Sequence, residues 1–544
     1  MLRKILFISA FISLLTVSCK KDFLDQNVDP NLPSTVPASE ILPAALAGTA
    51  SLMVDANLVY PNIWMGFWSF SPTYGIPTTE RDYDYPNSSA ASGYFANAYV
   101  NASSYQQIIT AGVAQHNYAY QGIGRIMKSM VMQSLVDLYG DVPYTQAFLG
   151  TANTTPKYDK ASAIYDSLYN QLTIAIANLH AAGGSTDFPG TSSDIMFQGD
   201  STLWIKLANT LKLKLLIRQA GVTAKASYIQ AKLADFAPDL SDFLQAKDIA
   251  KINPGYTNSA NKQNPFWANY GYSVTNTVTA GSDLDVYVGG INAVNMFANQ
   301  NDLRLARIMD YYKGPTTTTT DAGVDPSYYN TITTNQLFSV PALFFFSGTE
   351  MGTAPVAATG FKLPSMSTIT NNPSNMLNIK AANSDALIFS DFESLFLQAE
   401  AVQRGWFPSG DPQALLLSAQ TQSFAYDFDG PLGQAGAGAA ILSDINPTAD
   451  NDWATAQSAG VDPIQLIITQ KFMALATYNM MEPWTEYRRT GFPKVALSTN
   501  SSGHHIIPYR YLYPQREYSV NGTNVPVLNA GDQFTTAGKI FWMP

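Results

Sequence analysis

Leucines at 203, 207, 211 and 215 stand four residues apart in the run STLWIKLANTLKLKLLIR. Apolar residues at three- and four-residue steps line one face of an α-helix, whereas one face of a strand requires steps of two. The same spacing recurs along the chain. Residues 118–139 carry Ile123, Met127, Met130, Ser134, Leu135 and Leu138 at such steps, and residues 161–182 carry Ile164, Leu168, Leu172, Ile176 and Leu179. Periodicity predicts further helices over 225–236, 391–404, 411–426 and 463–481, with short ones at 291–300 and 302–311. Helix-end chemistry agrees: Ser39 is an N-cap for a helix over 39–54, Gly183-Gly184 stops another, and Asp462-Pro463 opens a third. In 201–218 Lys206, Lys212, Lys214 and Arg218 fall mostly off the leucine stripe.

Successive helices of modest length that can pair antiparallel resemble tetratricopeptide-type αα-hairpins, so the fold class is all-α. Two stretches break the pattern. Residues 60–100 are aromatic and interrupted by Pro and Gly, which argues against a long helix there. Residues 250–385 are rich in Asn, Thr, Gly and Tyr, include a Thr316–Thr320 run, and read as long loops of the kind that carry function. One helical body over 38–544, with a loop-rich insertion at about 250–385, explains this better than three separate domains.

The charge balance narrows the partners. The 544 residues include 31 Lys and Arg against 41 Asp and Glu, a net charge of −10, without basic clusters. Nucleic acid, whose phosphates need grouped cations, is excluded as a partner. Hydrophobic residues at 46% exclude a disordered chain.

The first residues read as an address. Arg3 and Lys4 precede an apolar run from Ile5 to Val17, too short for a spanning helix but right for a signal-peptide core. The run ends in Leu15-Thr16-Val17-Ser18-Cys19, which resembles the lipobox of bacterial lipoproteins. In that pattern residues 1–18 are removed and Cys19 is acylated, so the anchor is outer-membrane lipid, and the net charge moves from −10 to −12. Cys19 is the only cysteine, which leaves no disulfide, thiolate metal site or catalytic thiol downstream. Residues 19–37 form a polar, turn-rich tether. Its start, Lys20-Lys21-Asp22, resembles surface-export signals of outer-membrane lipoproteins in Bacteroidetes-type bacteria.

Catalytic and metal signatures are missing. The four histidines, 116, 180, 504 and 505, have no metal-ligand spacing, and neither a phosphate-binding glycine loop nor a GxSxG elbow occurs. Asp22, Asp25, Asn27 and Asp29 lack the spacing of an EF-hand loop and read as Asx turns. No metal and no cofactor is expected. Glu482 and Glu486, followed by Arg488 and Arg489, allow acid–base chemistry in principle, but read better as a partly buried network at a helix end. No residue is assigned a catalytic role.

Aromatic residues mixed with polar ones are more informative. Sugars stack flat C–H faces on rings while their hydroxyls need polar partners. Trp64, Trp68, Tyr74, Arg81, Tyr83 and Tyr85 supply that mixture in one region, and Asn264, Trp267, Asn269, Tyr270 and Tyr272 in another. For any single ring, packing of a loop onto the body is an equally good explanation.

Five blocks resemble the SusD/RagB family, specifically its second SusD-like subgroup. They are Asp22-Phe23-Leu24-Asp25 with Asn27 to Pro33; Leu135 to Tyr144 with Ala147; Gly199-Asp200 before Trp204; Ile468 to Ala474 with Glu482 to Gly491; and Ile507 to Glu517 with Asn521 and Asn524. The resemblance implies a tetratricopeptide-like scaffold with irregular loops on one face. It further implies a non-catalytic surface lipoprotein of the outer membrane, seated on a SusC-like TonB-dependent transporter, to which it delivers oligosaccharides, or peptides as in the RagB branch. The two aromatic regions match the family's ligand loops by location only. A surface glycoside hydrolase, or a structural partner of the transporter with no ligand of its own, are the competing readings.

Overall fold

A computed structural model describes residues 36–70, 83, 88, 92–182, 187–270, 274, 287–289, 293, 296–297, 299–300, 302–305, 382–429, 436–495, 497 and 504–544. In chain order these contain α1 (Ala38–Met53), α2 (Val59–Trp64), β1 (Trp68–Phe70), α3 (Ser92–Ala114), α4 (Tyr118–Tyr139), β2 (Val142–Pro143), β3 (Tyr158–Asp159), α5 (Ala161–Ala181) and α6 (Ser201–Arg218). There follow α7 (Ala226–Leu233), β4 (Ala250–Ile252), α8 (Pro265–Tyr270), β5 (Tyr287–Gly289), β6 (Ala386–Phe389), α9 (Asp391–Gln403), α10 (Pro412–Phe428), α11 (Ala437–Ser443), α12 (Trp453–Ser458), α13 (Pro463–Ala474), α14 (Glu482–Thr490) and α15 (Gln515–Val520). The strands pair two by two and antiparallel, β1 with β5, β2 with β3 and β4 with β6.

Local chemistry sets the helix ends. The Asn117 side chain accepts the Tyr120 amide at the start of α4, and Gly140 at φ 76° closes it. Asp200 accepts from the amides of Thr202 and Leu203 to open α6. Asp411 and Asp462 cap α10 and α13, each followed by proline at the first helical position.

Three sequence expectations need correction. α1 begins at Ala38 behind Pro37, so Ser39 lies inside its first turn, where its hydroxyl meets Tyr120 instead of capping. α13 stops at Ala474 rather than 481; Thr477 takes φ 64°, a backbone no helix continues through. α3 fills 92–114, beginning inside the stretch expected to lack a long helix. Of the two short helices expected at 291–300 and 302–311, residues 293, 296, 297, 299 and 305 are helical, and most of the remainder lies outside the described residues.

The helices pack as consecutive hairpins: α3 on α4, α4 on α5, α5 on α6, and later α9 on α10. This is the tetratricopeptide-like all-α arrangement. The two halves meet where α6 packs on α9 and α14 on α2. One apolar core runs from Leu42 to Trp542, with a smaller one beside it around Phe392, Phe396 and Leu466. Among the described residues one segment, Ala38–Trp64, is long and apolar enough to cross a membrane. It breaks at Val54–Asp55, and Leu42, Leu46, Leu52 and Ile63 are packed inside the protein.

The C-terminal residues strap across the end of α4. The Tyr511 amide donates to the Leu138 carbonyl at 2.8 Å, the Tyr513 hydroxyl to the Asp141 carbonyl at 2.7 Å, and the Trp542 indole to Asp137 Oδ1 at 3.1 Å. A side chain at Gly140 would meet the Arg510 guanidinium at 3.0 Å. The Leu135–Tyr144 block is therefore structural.

Beneath the strap lies a set of buried charges. Lys212, Lys214 and Arg218, nominally off the leucine stripe, are all buried, so α6 is enclosed on every side from Leu207 onward. Lys214 bridges Glu393 at 2.6 Å and Glu482 at 3.0 Å. Arg218 joins Glu482 at 2.7 Å and Glu486 at 2.9 Å, and its Nε stands 3.7 Å from Asp137. Lys471 reaches the same two glutamates at 2.9 and 3.1 Å, while Arg489 spans Glu486 and Glu400. Arg488 lies 3.4 Å from the centre of the Trp484 ring and donates to the Asp137 and Tyr509 carbonyls. Five acids thus face five bases from α4, α6, α9, α13 and α14. The expected partly buried network is fully buried.

Candidate functional site

After α2 the chain turns at Gly66 (φ 71°) into β1, which pairs with β5 so that Trp68 faces Gly289. This pairing joins the early aromatic region to the mid-chain excursion across more than 200 residues. The short helix α8 sits at the junction. Asn264 caps it, accepting the amides of Phe266 at 2.8 Å and Trp267 at 3.3 Å, while its own amide group donates to the Ser384 carbonyl at 2.9 Å. At the other end Asn269 Nδ2 donates to the Val54 carbonyl at 2.9 Å, which ties α8 to the end of α1.

Three rings meet there. Trp68 stands 4.9 Å from Tyr270 and 6.2 Å from Phe266, both edge-on, and Phe266 lies 5.2 Å from Tyr270. Edge-to-face contacts at such distances stabilise beyond the area they bury. Trp68 and Tyr270 are buried, whereas Phe266 and Trp267 keep part of their surface exposed. The first two form the floor and the last two the accessible surface.

The eleven residues singled out from the sequence therefore divide. Trp68, Trp267, Asn269 and Tyr270 come together around α8. Trp64 does not: it is packed in the core 5.0 Å from Trp484 and 5.8 Å from Tyr511, with no ring face left for a ligand. Asn264 is buried and its side chain is spent on the cap and on Ser384. Tyr83 is buried at φ 65°. Tyr74, Arg81, Tyr85, Tyr272 and the acylation candidate Cys19 lie outside the described residues. Sequence reasoning passed over Phe266, although it directly precedes Trp267 in an Asn-flanked turn.

A cleft of about 40 Å³, partly open to solvent, runs beside the first turn of α8 and past the start of β6. Phe266, Asp385, Tyr426 and Tyr478 line it. Asp385 is ion-paired to Lys251 at 2.7 Å and accepts from Asn253 Nδ2 at 3.0 Å. Burial alone would raise its pKa, but those two hydrogen bonds hold it below the ordinary carboxylate range. Tyr426 is edge-on to Tyr478 at 5.3 Å, and burial pushes its hydroxyl upward, so it stays a neutral phenol. An anionic acceptor, a phenol and partly exposed rings form a surface for a ligand that is polar at its edges and apolar on its faces.

Glu482 and Glu486 offer no comparable access. All four of their oxygens contact Lys or Arg, and both residues are buried. Burial by itself would raise the Glu482 pKa, yet Arg218, Lys214 and Lys471 hold it well below the carboxylate range. A general acid needs the opposite shift and a path to substrate. Among the described residues no group of three His, Cys, Asp or Glu side chains is placed to hold a metal ion.

Comparison with known proteins gives a consistent picture. The SusD-like_2 family model, described as "Starch-binding associating with outer membrane", matches residues 30–514. No curated protein sequence matches the chain. Among solved structures, a SusD homolog from Bacteroides fragilis is 18% identical with TM-score 0.65, covering 93% of this chain and 99% of that one. A chitin-binding protein is 22% identical with TM-score 0.65, covering 93% and 100%. A chitin-binding SusD homolog from Flavobacterium johnsoniae is 19% identical with TM-score 0.61, covering 92% and 98%.

Proposed function

Because the chain belongs to the SusD-like family whose members are described as starch-binding and associated with the outer membrane, we propose that it captures oligosaccharides without cleaving them. In this reading the rings of Phe266 and Trp267 stack on sugar faces over the Trp68–Tyr270 floor, and the neighbouring cleft supplies Asp385 and Tyr426 to hydroxyl groups. The observation that carries it is the meeting of two distant aromatic regions at α8, whose Phe266 borders the cleft. Two of the structural relatives are named as chitin-binding, which makes chito-oligosaccharides the first probes beside malto-oligosaccharides.

Calorimetry on protein lacking residues 1–19, with both oligosaccharide series and a peptide pool, tests the proposal. Saturable glycan binding with no release of shorter sugars supports it. Peptide binding alone would move the function to the RagB-like alternative, and turnover by pure protein would replace capture with hydrolysis. Trp267→Ala should weaken glycan binding by about 1–3 kcal/mol, as loss of a stacking ring does elsewhere, with an unchanged circular dichroism spectrum. Trp68→Ala should differ: its ring is buried, so the variant loses stability along with affinity.

Residues 19–37 then act as a tether from acylated Cys19, and 38–544 as the binding body seated on a SusC-like TonB-dependent transporter that receives the glycan. A single fatty chain gives only marginal membrane binding, so stable anchoring needs more than one. Cys19→Ser should move the full-length protein from the membrane fraction to the soluble one. Wild-type protein carrying a free thiol at position 19 would reject the anchor.

A further inference from the structure

A second pocket, of about 40 Å³ and partly open to solvent, lies between α1, α4 and α6. Leu52, Leu58, Leu211 and Phe389 make its apolar wall. Its polar lining is unusual. Gln133 and Asp137, one turn apart on α4 and so on one helical face, are 5% and 1% exposed. Neither Gln133 Nε2 nor Asp137 Oδ2 has a hydrogen-bond partner among the described residues. Gln133 approaches the Tyr165 hydroxyl, which itself donates to Asp137 Oδ1, without reaching hydrogen-bond geometry. Lys214, also lining the cavity, has three ammonium hydrogens but two carboxylate partners, Glu393 and Glu482.

Two donors and one acceptor thus face a common space. Water accepts two hydrogen bonds and donates two, and a cavity holds it when about 10–15 Å³ is available per molecule with two to four polar partners. We propose that the buried polar lining of this pocket is a structural hydration site. A water there accepts from Gln133 Nε2 and Lys214 Nζ and donates to Asp137 Oδ2, with space for about two more on the same scale. The ligand class is water because the carboxylate and the ammonium need opposite partners at one point, which an ion of either sign cannot provide. The water links the buried charges to α4 at an oxygen that Arg218 Nε approaches only to 3.7 Å.

A crystal structure of the wild-type protein at about 1.5 Å resolution should show solvent density within ~3 Å of both Gln133 Nε2 and Asp137 Oδ2. An empty cavity, or density for an organic molecule or an ion, would overturn the proposal. Thermal unfolding of Gln133→Leu gives an independent readout with an opposite sign for each case. If the amide holds a bound water, the midpoint falls by about 1–2 °C in a chain of this size. If the cavity is dry, replacing an unpartnered amide with an apolar group of similar volume raises the midpoint or leaves it unchanged, and the hydration site is rejected.

Discussion

Glu482→Gln is expected to lose about 3–5 kcal/mol of stability, the range for breaking a buried ion pair from one side. The shape of the side chain is kept, so no cavity forms. What changes is charge: Lys214, Arg218 and Lys471 all contact this one carboxylate, and each would remain buried with a weaker partner. Equilibrium unfolding in urea, followed by circular dichroism, measures the loss. The same variant tests the hydrolase reading. Wild-type stability together with abolished glycan turnover would return Glu482 to catalysis and remove it from the framework.

The other large effect concerns acid. Burial alone would raise the Glu400 pKa, but Arg489 and Arg404 bring it down to about 2, and Glu482 is held low by its own three cations. The folded state therefore binds fewer protons than the unfolded chain, whose glutamates titrate near ~4.3. The stabilisation is complete above about pH 5 and is lost as the pH falls through about 2, with Glu400 contributing on the order of 3 kcal/mol. Asp391 runs the other way. Burial pushes it up to about 6, so its contribution is full below about pH 4 and is lost as the pH rises through 6. Urea midpoints should accordingly rise slightly from pH 7 to about 5, then drop steeply between about 4 and 2. A flat profile down to pH 2 would contradict the ion-pair assignment.

Much of the scaffold was legible because its signals are local. For α4 and α6 the expected bounds match the observed ones, since Asn117, Gly140 and Asp200 mark the ends with side-chain and backbone chemistry. α3 escaped notice because Ala98, Asn101 and Ala102, small or polar residues, interrupt the buried face that Tyr94, Phe95, Tyr105, Ile108 and Ile109 make. α13 was extended too far because apolar residues continue past Ala474, while Thr477 breaks the helix with a conformation its residue type does not announce. The charged side of α6 looked peripheral because burial of Lys212, Lys214 and Arg218 depends on acids up to 268 residues away.

The candidate site was legible in outline and not in detail. Both aromatic regions contribute to it, but which rings meet depends on the pairing of Trp68 with Gly289. No local pattern encodes that register. Trp64 and Trp68, four residues apart, pack against different partners, one on Trp484 and one on Tyr270 of α8.

The buried charges have a consequence for how a chain of this kind can diverge. Removing any one member strands the others, so a change that is harmful alone becomes tolerable only when its counterpart changes too, and the effects do not add. Concerted replacement is rare by comparison with single steps. Variation should therefore accumulate in the loops outside the network, while the chassis stays put.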